Sequence, residues 1–131
     1  MKYRERVICF GGRKYRDDLF LANALAEFRA IYGPFVLIHG DAPGADRLAG
    51  DWGKTNGMPV IVVPANWDFY GTQAGPIRNE WMADLTAPTY GIKFPGGTGT
   101  NDMRNKLLAR GIPVWNPADM KIPPLSLGTQ K

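Results

Sequence analysis

Between Tyr90 and Met103 the chain reads YGIKFPGGTGTNDM: an apolar run of strand length, a break into proline and glycine, then a polar stretch opening a new pattern. Thr100 is placed to cap a helix whose inner face is Met103, Leu107 and Leu108, and Gly111 ends it. A strand that turns through glycine directly into a helix is one half of a strand–helix–strand unit. The question is whether the rest of the chain repeats it.

It does, in both directions. Arg6–Phe10 (RVICF) reads as a buried strand ended by Gly11-Gly12. From Asp17 to Tyr32, Leu21, Leu25, Phe28 and Tyr32 fall on one helical face, and Gly33-Pro34 stops that helix. Phe35–His39 (FVLIH) is a second strand, closed by GDAPGAD. Ala45, Leu48, Ala49 and Trp52 mark the inner face of a helix ending near Asn56-Gly57. Pro59–Val63 is a third strand, and an irregular segment runs from Pro64 to Pro76. Pro76 suits a helix start, and Ile77, Trp81 and Leu85 then recur at four-residue steps as an expected inner face. Tyr90–Phe94 is the fourth strand and Ile112–Trp115 a short fifth.

Strands apolar on both faces, alternating with helices, indicate a parallel sheet covered on both sides. Right-handed crossovers leave few arrangements. The expected fold is α/β: a Rossmann-like parallel sheet of about five strands, order 3-2-1-4-5, with helices on both faces. Ligands of such sheets bind at the carboxyl ends of the strands where the winding reverses, here between strands one and four. Residues 1–116 form this one domain, and residues 117–131, rich in proline, glycine and serine, read as a loosely held tail.

Composition sets the outer bounds. The 44% hydrophobic and 21% charged content is that of an ordinary soluble globule. One cysteine, Cys9, inside an apolar run, suits a buried thiol in a reducing compartment and excludes an intrachain disulfide framework. No run approaches a membrane span and nothing resembles a signal peptide, so a cytoplasmic protein without membrane partners is expected. The net charge of +4 favours phosphate-bearing partners, but the cations are dispersed and no aromatic-interleaved basic stripe supports a nucleic-acid face.

The glycines carry more. GGRKY follows strand one, GDAPGAD strand two and PGGTGT strand four, all opening on one edge of the sheet. Glycine turns before helix N-termini let backbone N–H groups approach a phosphate, and Thr98 and Thr100 add hydroxyls. An anion is therefore expected among the N–H groups of Gly96 to Thr100 and of the Gly11-Gly12 loop. GxxxxGK[ST] and GxGxxG are both absent, which excludes a P-loop and the usual dinucleotide fingerprint. With one histidine and one cysteine, a metal site built on those residues has no support, and no cofactor is indicated.

GGRKY, HGDAPGAD, ANW, AGPIRNEWMAD and FPGGTGTNDM…ARGIPV together resemble the SLOG superfamily, the Rossmann-like group of Smf/DprA and the LONELY GUY phosphoribohydrolases. The similarity runs from about Val7 to Trp115 and is closest to the small YspA/YpsA-related branch of bacteria and phages. It implies a nucleotide or nucleotide-derived ligand, ADP-ribose-like molecules included. In LONELY GUY enzymes a PGGxGTxxE motif binds phosphate and supplies a glutamate, and an arginine from the preceding helix completes a site that cleaves an N-glycosidic bond. Pro95, Gly96, Gly97, Gly99 and Thr100 match that motif, and Arg78 with Asn79 resembles the arginine position. The glutamate position falls on Met103.

A catalytic trio of Arg78, Glu80 and Asp46 follows: Glu80 because its helix borders the crevice, Asp46 from the second glycine loop. Asp102, one residue from Met103, is rotated by about 100° and expected to point elsewhere. The ligand-contacting set adds Gly11, Gly12 and Arg13 from the first loop, and Gly40, Asp41, Gly44, Ala45 and Asp46 from the second. Trp67 joins Arg78, Asn79 and the run Pro95 to Thr100. Two readings stand for Trp67, Phe69 and Tyr70: a lid stacking on a base, or packing against the core or a second copy. His39, closing an apolar strand, reads as structural. The replaced glutamate tilts the function toward a sensor or sequestering module, with a phosphoribohydrolase-like hydrolase as alternative. A homo-oligomer is expected.

Overall fold

The computed structural model describes residues 3–124. Its sheet has the order β3-β2-β1-β4-β5, every neighbouring pair parallel. The strands are β1 (Glu5–Phe10), β2 (Phe35–His39), β3 (Val60–Val62), β4 (Tyr90–Lys93) and β5 (Val114–Trp115). The helices are α1 (Asp18–Tyr32), α2 (Ala45–Thr55), a single turn α3 (Trp67–Tyr70), α4 (Ala74–Leu85) and α5 (Thr98–Ala109). The expected Rossmann-like arrangement is therefore present, with β1 and β4 in register through Val7–Tyr90 and Cys9–Ile92.

Side chains on a strand alternate between faces, and β1 shows what that does here. Val7 and Cys9 enter one core with Leu21, Leu25 and Phe28 of α1 and Ala45 and Ala49 of α2. Ile8 and Phe10 enter the other with Met82 of α4 and Met103 and Leu107 of α5. Phe28 centres the first core, its ring 4.7 Å from Tyr32, 4.9 Å from Tyr90 and 5.3 Å from Phe35. Burial pushes the Cys9 thiol up, so it stays protonated among apolar neighbours. On the opposite face, a Cβ on Gly91 would lie 2.7 Å from Leu107 Cδ1; that glycine is what lets α5 settle onto β4.

Two local expectations are corrected. α4 begins at Ala74, with Pro76 inside its first turn, where no N–H is needed. Its buried residues are Ala74, Gly75, Arg78, Asn79, Met82 and Ala83, whereas Trp81 and Leu85 are 39% and 76% exposed. Periodicity marked a real stripe but not the side it faces. Small residues at 74, 75 and 83 permit close packing inward, and the large ones are turned out, Trp81 meeting Tyr70 edge-on at 5.9 Å. Likewise Leu108 is exposed, while Met103 and Leu107 are buried.

After β5, Trp115 Nε1 donates to the Met120 carbonyl at 2.8 Å, and the Tyr90 hydroxyl donates to the carbonyl of Pro124. Residues 125–131 of the expected tail lie outside the described residues. Among the described residues no helix is long and apolar enough to cross a membrane.

Phe28→Ala, removing a fully buried ring, should lower unfolding free energy by about 3–5 kcal/mol in a urea titration. A loss below about 1 kcal/mol would show that α1 is not anchored through this ring.

Candidate functional site

The loops leaving β1 and β4 meet backbone to backbone. Gly12 N donates to Pro95 O at 2.9 Å, and a Cβ on Gly12 would lie 2.9 Å from that oxygen. This contact corrects part of the expected anion cradle. The Gly12 amide is spent on Pro95, and that of Gly11 faces the Asp46 carboxylate, so neither is offered to a ligand. The two glycines serve close approach instead. Beneath them, Gly44 has φ +86°, and a Cβ there would lie 2.2 Å from Gly12 O. Ala45 N donates to the same oxygen at 3.2 Å. Gly44 and Ala45 therefore support the first loop and do not line the cavity.

Further amides at the cavity belong to α5. The helix starts at Thr98, its N-cap is Gly97, and no side chain caps it. Thr100 is thus the third helical residue, not the cap: glycine admits the extended cap geometry three residues earlier, and Thr100 packs under Gly96. The first backbone bond into this turn is Asn101 N to Gly97 O. The N–H groups of Thr98, Gly99 and Thr100 have no protein partner among the described residues. A Cβ on Gly97 or Gly99 would meet nothing within 4 Å. The open amides face a cavity of about 830 Å³ walled by the first loop, α3, α4 and the first turns of α5. Pro95 to Thr100, Gly11, Gly12, Arg13, Asp46, Trp67, Arg78 and Asn79 all line it.

Its floor is a line of alternating charge. Asp46 is buried and its Oδ2 accepts from Gly40 N at 3.0 Å and Ala42 N at 3.4 Å. Burial pushes the Asp46 carboxyl up, outweighing the downward pull of Arg78 and of those amides. Arg78, 8% exposed, donates through Nη1 to Gly40 O and through Nε to Asn79 Oδ1 at 2.9 Å. Its Nη2 has no protein partner among the described residues. Burial lowers the Arg78 pKa in spite of Asp46, yet guanidinium keeps its proton at neutral pH. Gly40 makes room for this arginine, since a Cβ there would lie 2.2 Å from Nη1.

Asn79 continues the line, its Nδ2 donating to Asp102 Oδ2 at 3.0 Å and reaching Gly99 O at 3.4 Å. Lys106 Nζ closes it at 2.6 and 2.7 Å from the two Asp102 oxygens. Asp102 lines the cavity, contrary to the expectation that it points elsewhere. A helix face about 100° wide holds two successive residues at its borders. Met103 packs into the core while still bordering the cavity, and Asp102 lies on the cavity wall, three residues on from Gly99. That spacing was the signal available in the sequence. Tyr15, whose hydroxyl is buried without a partner, and Ala42 also line the wall and carried no such mark.

Other expected residues lie elsewhere. Glu80 is held outside the cavity, 2.7 Å from Arg110 Nη2 and 3.9 Å from Lys106 Nζ. Asp41, at φ +60°, faces solvent with Arg47 Nε at 3.2 Å. Gly40 lies behind Arg78. Arg13 sits 5.8 Å over the Trp67 ring at the cavity mouth. Phe69 is 76% exposed, away from the cavity. Met103 is 1% exposed against Ile8 and Phe10, so a carboxylate at this position would be buried. His39 Nδ1 accepts from Asp41 N at 3.0 Å, and burial pulls its pKa down, which keeps the ring neutral. Among the described residues no three His, Cys, Asp or Glu side chains converge as a metal site would require.

Comparison with known proteins gives a consistent placement. The sequence model of the YspA, cpYpsA-related SLOG family matches residues 5–70. The chain is similar to the Gene 61 protein of Mycobacterium phage D29, 34% identical over 123 residues, covering 87% of this chain and 97% of that protein. No solved structure matches.

Asp46 supplies a pH test. Its folded pKa lies above the unfolded value, so its contribution to stability is full below about pH 4 and is lost as pH rises through the folded value. Relative to wild type, Asp46→Asn should gain stability across that rise in urea titrations at stepped pH. A gap moving the other way would mean that Arg78 and the amides outweigh burial.

Proposed function

The chain belongs to the YspA, cpYpsA-related SLOG family, and on that premise we propose that its cavity binds a nucleotide or nucleotide-derived ligand, as a sensing or sequestering module. One observation carries the reading: three partnerless amides at the uncapped N-terminus of α5 open into a cavity beside the buried guanidinium of Arg78. Helix N-termini favour anions, and an arginine with an unengaged amino group adds charge where water is partly excluded. At about 830 Å³ the cavity exceeds what a phosphate alone requires and falls within the range of small-molecule sites. The phosphate belongs at Thr98 to Thr100. The Trp67–Arg13 pair at the mouth offers an aromatic face and a cation to a base or second phosphate.

A hydrolytic reading, cleavage of the N-glycosidic bond of a nucleoside monophosphate, draws on Asp102. This half-buried carboxylate in the cavity wall could support an oxocarbenium-like ribose. Against it, Lys106 and Asn79 already occupy Asp102, Met103 is apolar and core-bound, and Glu80 is outside. Holding the ligand is therefore preferred to cutting it. Chromatography of AMP incubated with the protein separates the two, since steady release of free adenine would establish the hydrolase.

Calorimetric titration with AMP and ADP-ribose should show binding that Gly99→Glu abolishes, because the new carboxylate occupies the space where the anion sits. Thermal stability should hold or rise, an acidic residue in a first helical turn being favourable. Unchanged affinity in a folded Gly99→Glu variant would remove α5 from the site.

A further inference from the structure

The cavity wall is not uniformly suited to anions. Roughly 3 to 6 Å along the axis from the amides of Thr100 and Thr98, the lining changes to the acceptor-only carboxylate of Asp102. A phosphate oxygen would be repelled there. A hydroxyl would not.

From this change of polarity we infer that Asp102 is a specificity residue that accepts a hydrogen bond from a ribose hydroxyl of the ligand, so the site takes ribonucleotides in preference to their deoxy counterparts. The inference rests on the phosphate position proposed above and extends it along the same helix. The carboxylate is held for such a task. Asn79 Nδ2 fixes Oδ2 at 3.0 Å, and Asn79 is itself fixed by Arg78 Nε at 2.9 Å. Lys106 spans both oxygens at 2.6 and 2.7 Å, leaving acceptor capacity on Oδ1. At 30% side-chain exposure Asp102 is reachable yet partly desolvated, the condition in which one hydrogen bond discriminates.

The distance also fits. In a 5′-phosphorylated ribose the 2′- and 3′-hydroxyls lie on the far side of the ring from the phosphate. With the phosphate on the first turn of α5, that edge reaches the second turn.

The test is calorimetry of AMP, 2′-deoxy-AMP and 3′-deoxy-AMP with wild type, Asp102→Ala and Asp102→Asn, each variant first checked for an unchanged melting profile. In wild type, deleting the contacted hydroxyl should weaken binding about 10- to 100-fold, the value of one charge-assisted hydrogen bond. In Asp102→Ala the three nucleotides should bind alike, at or above the level of the weakest in wild type. Asp102→Asn keeps the shape and should keep only part of the preference. Equal affinities in wild type, or a preference that persists in Asp102→Ala, would overturn the inference while leaving the phosphate site standing. If none of the three binds wild type, and inorganic pyrophosphate does not bind either, the phosphate position falls and this inference falls with it.

Discussion

Where β1 and β4 end, two loops touch through their backbones, Gly12 N on Pro95 O, with no room for a Cβ on either Gly12 or Gly96. Everything at the site depends on that approach. It fixes the first loop over the N-terminus of α2, where Gly12 O receives Ala45 N, and sets the first turn of α5 beside it. A side chain at either glycine would hold the loops apart. The parallel pairing of β1 with β4 brings the loops near. Glycine lets them close.

The same contact settles which dipoles remain for a ligand. The amides of Gly11, Gly12, Gly40 and Ala42 are turned inward, onto Pro95 and Asp46, whereas the first turn of α5 presents donors without a protein partner among the described residues. Asp46 is thereby a structural anion: it organises Gly40 and Ala42 and neutralises part of the Arg78 charge. Buried opposite charges add little net stability, because desolvation offsets attraction. The guanidinium itself is held in one orientation by Gly40 O and Asn79 Oδ1.

Much of this was legible in the sequence. The five strands, their order and the crevice between strands one and four followed from apolar runs separated by glycine turns, and PGGTGT with Arg78-Asn79 indicated elements that line the cavity. What was not legible depends on direction. Ile77, Trp81 and Leu85 form a correct stripe on the wrong side, because spacing carries no information about which face of a helix meets the sheet. Thr100 has a good capping side chain, yet the cap fell on Gly97, where backbone freedom outweighed a hydroxyl. Asp102 was set aside by a rotation argument that treated inward as one direction; next to a cavity there are two, toward the core and toward the opening. Glu80 was chosen because its helix borders the crevice, but it sits on the opposite side from Arg78, within reach of Arg110 and Lys106.

The inverted dress of α4 has a thermodynamic side. Of its inward residues, Arg78 and Asn79 contribute polar bonds in place of apolar area, while Trp81 and Leu85 are turned out and Met82 is its one large side chain fully in the core. This helix is therefore tied to the domain by fewer hydrophobic contacts than α1, and more of its attachment runs through groups that also line the cavity. An occupant bonded to both Arg78 and α5 would act as a further strut between the two helices. By mass action, its free concentration would then set how often that wall breathes away from the sheet. Occupancy becomes a change in the rigidity of one face, a signal that a protein partner could read without any rearrangement of the sheet.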